Sequence, residues 1–252
     1  MPTRFMTSRT AATSGFHGGI ADGNRQTEGV EMAETAQSVL RRRRMTAVML
    51  ACGAVAGAMF LVAVAIQELT RTGVDPGLHP LSLLSLGDLG WVQITNFVVT
   101  GVLNLTFAGG LYRARGPAQV TTVGPLLIAG YGVGLIVAGV FVRDPGSGFP
   151  PGVAEPAAPS WHDALHGLGA ILAFGSLIGA CGVFARRFAS RDQPGWVGYC
   201  AGTGVLLLGL VLLAQVEWWE GAALHTAAVA GWGWATALAV RFLTTVRQAE
   251  EF

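Results

Sequence analysis

Three histidines in the second half of the chain have the type and spacing that suit metal chemistry. His162 and His166 lie four residues apart, so a helix would place both imidazoles on one face, and His225 follows later in the chain. Zinc held by three imidazoles keeps one position for a water molecule, and the metal lowers the pKa of that water toward neutral. Glu217 or Asp88 could act as the general base. The pattern predicts, as one alternative, a metal-dependent hydrolase.

The same histidines permit two other interpretations, which the sequence leaves open. Facing imidazoles of His166 and His225 could hold a haem iron, although no further haem motif accompanies them. Alternatively, the rings form hydrogen bonds to neighbouring side chains and to loop carbonyls, and so cap the ends of helices. Only the positions of the histidines in space distinguish these interpretations.

A stripe of amide and hydroxyl side chains is the second polar feature. Gln93, Asn96, Thr100 and Asn104 recur every three or four residues, which places them on one face of a helix. The surrounding residues are apolar, and a buried amide is costly unless it faces polar partners. We therefore expect the stripe to face the interior of the protein.

The elements that carry these residues are six apolar segments of membrane-spanning length. A hydrocarbon core about 30 Å thick needs roughly 20 residues of helix, because backbone polar groups in lipid must bond within their own segment. Only 12% of the residues are charged, against about 25% in a typical soluble domain. The sequence predicts an all-α, polytopic membrane protein, a bundle of six transmembrane helices, rather than a soluble helical bundle. The predicted spans are Met45–Leu69, Trp91–Tyr112, Val120–Val142, Trp161–Ala185, Trp196–Val216 and Gly221–Leu243.

Arginine predicts the orientation, because the chain has no lysine and cytoplasmic loops collect positive charge. Arginines cluster before span one, after span six and in alternate connections, whereas the other connections are mostly acidic. We therefore predict a multi-pass plasma-membrane protein with both termini in the cytoplasm. The cytoplasmic set is Arg41, Arg42, Arg43, Arg44, Arg113, Arg115, Arg186, Arg187, Arg191, Arg241 and Arg247; the outer set is Arg71 and Arg143 with Asp75, Asp88, Asp144, Glu155, Glu217 and Glu220.

The chain divides into three predicted parts. Residues 1–44 are rich in Gly, Ser, Thr and Ala and predict a disordered cytoplasmic tail with a basic end. Residues 45–243 form the transmembrane domain, and residues 244–252 a short cytoplasmic tail. Glycines at four-residue spacing within the spans predict close helix packing and offer faces for oligomerisation. The formal net charge of +1 gives no sign of a nucleic-acid partner.

The leading functional prediction combines the stripe of span two with the histidines of spans four and six, beneath two long outer loops. It is a non-enzymatic protein, without a cofactor, that binds a lipid or small hydrophobic ligand at its outer face. The alternatives are an outer-face hydrolase of a lipid-like substrate, with zinc on His162, His166 and His225, and a small transporter. The predicted ligand-binding residues are Asp88, Gln93, Asn96, Asn104, Asp144, His162, His166 and His225.

Four short motifs in and between the predicted spans carry a family resemblance. They are HPLSLLSLGDLGWVQ at 79–93, FVRDP at 141–145 followed by FPPG at 149–152, LHGLGA at 165–170 and GWGW at 231–234. Because these motifs follow one another in this order, the chain resembles the bacterial integral-membrane family called domain of unknown function 998. The resemblance covers roughly residues 45–245. The family pattern often has Thr before the second Asp-Pro, where this chain has Arg143. The resemblance implies a six-span plasma-membrane protein and transfers no catalytic residue.

Overall fold

The computed structural model describes residues 15–114 and 122–248, and within them it has six α-helices and no β-strand. Predictions that concern residues 1–14, Arg115, residues 120–121 and residues 249–252 lie outside the described residues. Residues 1–44 and 45–252 form separate units, and the functional analysis concerns the second. The helices are α1 Gly15–Thr70, α2 Gly90–Arg113, α3 Val123–Val140, α4 Trp161–Ala189, α5 Pro194–Leu213 and α6 Glu220–Gln248.

The predicted all-helical class is confirmed for the described residues. Five helices are long and apolar enough to cross a membrane, namely α2 to α5 and the part of α1 from Gln37 to Thr70, which indicates a membrane protein. The sixth predicted span corresponds to α6, which has the length but is less apolar. Its sequence is rich in Ala, Gly and Thr and contains His225, Trp232 and Trp234. The two tryptophans are fully buried, so the largest side chains of α6 face the interior of the bundle.

The described part of the predicted N-terminal tail is helical. Helix α1 begins at Gly15, and the disorder predicted for residues 1–44 stays a prediction. The functional division of the chain at residue 44 stays a prediction.

Glycines bring α3 into backbone contact with both of its neighbours. A Cβ atom at Gly132 would lie 2.7 Å from the carbonyl oxygen of Gly101 in α2. On the other side of α3, a Cβ at Gly134 would lie 2.5 Å from the amide nitrogen of Ala173 and 2.6 Å from the carbonyl oxygen of Gly169 in α4. Small residues at such positions allow van der Waals packing that lipid-facing side chains cannot provide. Helices α2, α3 and α4 therefore form a tightly packed layer.

Aromatic side chains fill the centre of the bundle. The rings of Phe60 in α1 and Tyr131 in α3 lie 5.1 and 5.2 Å from the ring of Trp232 in α6, measured between centroids. Phe97 of α2 contacts Phe60 edge-on at 5.5 Å. Such ring pairs add about 0.5–1.5 kcal/mol each beyond area burial. This aromatic cluster connects four helices at one level.

The long connections 71–89 and 141–160 meet at one end of the bundle, together with residues 214–219; we call this the loop end. The backbone N–H of Asp75 donates to Nδ1 of His79, so Nε2 of that ring carries the proton and donates to the carbonyl oxygen of Ser147 at 2.9 Å. Arg71 donates to the carbonyls of Leu84 and Leu86 and lies over the ring of Phe149. The two long connections therefore hold each other in place.

The packing of α3 generates a stability prediction. Gly134→Ala places a methyl group against the backbone of α4, which cannot move as a side chain could, so we expect a lower melting temperature in detergent. Gly182→Ala is the matched control, since a Cβ there meets no heavy atom within 4 Å and alanine favours helix by up to about 1 kcal/mol. Equal melting temperatures of the two variants would contradict the close approach of α3 and α4.

Candidate ligand-binding site

A cavity of about 570 Å³ lies among the helices above the aromatic cluster, toward the loop end. This volume falls within the range of pockets that hold one small molecule. Phe60, Phe97, Tyr131 and Trp232 form its floor, and most of its wall is aliphatic. The wall includes Leu135, Ala138, Ala170, Ile171, Ala173, Phe174, Leu177, Ile178, Leu208, Val211, Leu224, Ala227 and Ala228.

The cavity is deep and opens sideways. Its wall follows α4 from Asp163 to Ile178, which corresponds to about 22 Å of helix and exceeds half of a hydrocarbon core about 30 Å thick. Ile171 of α4 and Leu208 of α5 line it although they are 71% and 49% exposed. Gly175, also exposed, lines the cavity one turn after Ile171 on α4. The opening between α4 and α5 therefore faces the flank of the bundle.

The charged side chains and the imidazole of the cavity wall lie at the loop end, where Ser82 and Gln215 also line the cavity. His166 is 7% exposed, and its Nδ1 lies 2.9 and 3.0 Å from the carbonyl oxygens of Ala138 and Phe141. Carbonyls only accept, so Nδ1 carries the proton and Nε2 of the neutral ring is an acceptor. Arg143 forms an ion pair with Glu220 at 2.5 Å. We call His166, Arg143, Glu220 and Asp163 the polar rim.

Asp144 and His162 stand beside the polar rim rather than on the cavity wall. The Asp144 carboxylate accepts a 2.6 Å hydrogen bond from the backbone N–H of Ser160. The backbone N–H of Asp144 donates to the carboxylate of Asp163. The hydrogen bonds from Ser160, with a smaller contribution from the charge of His162, hold the pKa of Asp144 below its usual value. His162 is exposed and packs against Trp161. Both residues shape the start of α4.

The predicted amide stripe faces inward, yet it does not line the cavity. Gln93, Asn96, Thr100 and Asn104 are all at most 5% exposed. Nε2 of Gln67 in α1 donates to Oε1 of Gln93 at 2.8 Å, and Asn96 donates to the carbonyl of Phe60. The stripe therefore joins α1 to α2. The ligand-binding role of Gln93, Asn96 and Asn104 stays a prediction from the sequence.

The structure does not bring the three predicted metal ligands together. His225 bonds to the carboxylate of Glu68 and to the carbonyl of Gly221, whereas His166 bonds to carbonyls of α3 and its C-terminal end. Among residues 15–114 and 122–248, no three His, Cys, Asp or Glu side chains are grouped so that they could hold a metal ion. Asp88 is exposed in the first long connection. Of the eight predicted site residues, His166 alone lines the cavity.

Arg143, Asp163 and Glu220 are rim residues that sequence reasoning did not select. Each lies within three residues of a helix end at the loop end, next to residues that were selected. A signal was present, because Arg143 is one of only two arginines in the outer connections and opposes Glu220 in charge. Their proximity, however, depends on the packing of α6 beside the second long connection.

The contact between Gln67 and Gln93 generates a second prediction. Two further atoms of this pair, Oε1 of Gln67 and Nε2 of Gln93, are buried without a partner among the described residues. Gln67→Leu and Gln93→Leu should each lower the melting temperature, and the double variant should lose less than their sum, because it leaves neither partner of this glutamine pair without the other. We expect a coupling of about 0.6–2 kcal/mol. Strictly additive losses would show that the pair contributes nothing.

Comparison with known proteins gives one match. The model of the family described as protein of unknown function (DUF998) matches residues 54–241, which include all of the cavity-lining residues. No curated protein and no solved structure shows significant similarity to the chain. The match covers most of the chain, as the four sequence motifs of the family resemblance predict. The chain therefore belongs to the DUF998 family of proteins of unknown function.

Proposed function

We propose that this protein binds one lipid or small hydrophobic ligand in the cavity beneath its loop end, as a multi-pass protein of the plasma membrane. The observation that carries the proposal is the cavity itself, with about 570 Å³ of space. Protein interiors are normally packed with few voids larger than a water molecule. We therefore interpret this apolar cavity as a ligand-binding site rather than as a packing defect.

The distribution of polarity supports an amphipathic ligand. The floor and most of the wall are aromatic and aliphatic, whereas the polar rim lies at the loop end of the cavity. An apolar chain would replace bilayer contacts with contacts to Phe174, Leu177 and Trp232, and a head group would replace water with the rim. The ligand would therefore lie along the helices with its head toward the loop end.

The lateral opening supports entry from the bilayer. Ile171, Gly175 and Leu208 line the cavity and are also exposed on the flank of the bundle, which would face lipid in a membrane. Entry by this route keeps the apolar part of a ligand out of water throughout. The route also explains why the charged rim need not open for the ligand to enter.

The proposed topology has six spans and both termini in the cytoplasm, with α6 as the sixth. The loop end carries two arginines against seven carboxylates in residues 71–89, 141–163 and 214–220. The opposite end carries Arg113, Arg186, Arg187 and Arg191. Positive charge on one side supports a cytoplasmic location for that side.

The topology can be tested with single cysteines in a chain whose three native cysteines are replaced. Ala158 and Ser190 are both exposed, the first in the long connection 141–160 and the second after α4. We expect Ala158→Cys to react with a membrane-impermeant maleimide on intact cells, and Ser190→Cys to react only after the membrane is permeabilised. Labelling of Ser190→Cys on intact cells would invert the proposed orientation.

Ligand binding can be tested by closing the opening between α4 and α5. A Cβ at Gly175 or at Gly182 meets no heavy atom within 4 Å, and both glycines are exposed on α4 seven residues apart. Only Gly175 lines the cavity. Gly175→Phe should therefore lower the amount of co-purifying lipid-like ligand, measured by native mass spectrometry from gentle detergent, whereas Gly182→Phe should match the wild type.

Two results would count against the proposal. One is a wild-type spectrum without any bound small molecule from several mild detergents. The other is equal ligand occupancy in Gly175→Phe and wild type. The hydrolase and transporter alternatives remain predictions from the sequence, because no comparable feature of the described residues favours them.

A further inference from the structure

We propose that the ligand of this cavity is a neutral, single-chain lipid whose head group donates hydrogen bonds through hydroxyl groups. The proposal rests on the proposed function, since it assigns a chemical class to the ligand of the same cavity. The relevant observations are the hydrogen-bond roles and the charges of the polar rim, together with the size of the cavity.

Hydrogen-bond acceptors dominate the polar rim. Nδ1 of His166 is occupied by two carbonyls, so the nitrogen that remains for a ligand is the acceptor Nε2. The ring is held firmly, because it is 7% exposed and bonded to the end of α3. Asp163 and Glu220 contribute carboxylates, which only accept when ionised. A head group that donates hydrogen bonds fits these groups.

The charges of the rim disfavour an anionic head group, and its acceptors favour a head group that donates hydrogen bonds. Arg143 is neutralised by its ion pair with Glu220, and Asp163 adds a further negative charge. An anionic head would be repelled by the excess of carboxylates, both at the rim and across the loop end. A quaternary ammonium head would be attracted by the same carboxylates, but it has no N–H or O–H group with which to donate to Nε2 of His166. Hydroxyl groups can donate to Nε2 of His166 and to Asp163 without carrying a charge.

The cavity volume favours a single chain. A space of about 570 Å³ lies within the range for one small ligand, and the wall extends for about 22 Å along α4. This long and narrow space suits one extended acyl chain. The opening between Ile171 and Leu208 would admit such a chain from the side.

The test uses three probes with the same chain and different heads, namely 1-oleoylglycerol, oleyl sulfate and oleyltrimethylammonium. Purified full-length protein is mixed with all three at equal concentration, and bound species are counted by native mass spectrometry. We expect 1-oleoylglycerol to exceed each charged probe by about tenfold or more, the equivalent of one to two hydrogen bonds.

Two variants connect this preference to the rim. His166→Phe keeps a ring of similar size but removes the acceptor, so 1-oleoylglycerol should lose most of its advantage. Glu220→Gln leaves the charge of Arg143 unpaired, so the occupancy of oleyl sulfate should rise relative to wild type. If His166→Phe does not fold, the probe comparison on wild type and on Glu220→Gln still decides the matter.

The outcomes separate this inference from the proposed function. Binding of all three probes in similar amounts, or a preference for a charged probe, would overturn the head-group assignment while the cavity remained a lipid site. Binding of none of them would overturn the proposed function together with the assignment. Unchanged selectivity in both variants would show that the polar rim does not contact the head group.

Discussion

The backbone contact of α3 with α2 and α4 is the constraint on which the rest of the bundle depends. Gly101, Gly132, Gly134 and Gly169 remove the side chains that would hold these helices apart. In lipid there is no hydrophobic drive between helices, so close packing must supply the attraction. The three helices consequently form a compact layer, and it fixes the positions of His166, Tyr131 and Phe97 on one side of the cavity.

The remaining helices pack in a different way, and the cavity results from this difference. In α5 the buried residues are Cys200, Thr203 and Leu207, whereas Leu208 of the same helix lines the cavity and is 49% exposed. Trp232 of α6 packs against Phe60 and Tyr131 and fills the centre at one level only. The bundle is thus closely packed around the glycines of α3 and around the ring of Trp232.

The loop end closes the bundle through polar contacts of loop residues and helix ends. His79 joins the two long connections, and the N–H of Ala222 in α6 donates to the carbonyl of Gly77 at 3.0 Å. The ion pair between Arg143 and Glu220 adds a contact between the second connection and α6. A half-exposed pair of this kind contributes little stability. Its significance lies in placing the charges beside an apolar cavity.

The sequence by itself determined the helical class, the approximate ends of the apolar segments and the family, because hydrophobic length and turn motifs are local properties. It also predicted that the stripe from Gln93 to Asn104 faces inward, since helical periodicity decides which residues share a face. It did not determine what the stripe contacts. Only the tertiary structure decided that these amides join α1 to α2 and lie away from the cavity.

The same division applies to the ionisable residues. Spacing placed His162 and His166 on one helix, but it could not fix the rotation of α6, and so it could not show that His225 pairs with Glu68. Arg143 and Glu220 are 77 residues apart in the chain, and nothing local to either segment predicts their contact. Their meeting depends on helix rotation and loop paths, which are set by the packing of the whole bundle. For that reason the polar rim could be found in the tertiary structure alone.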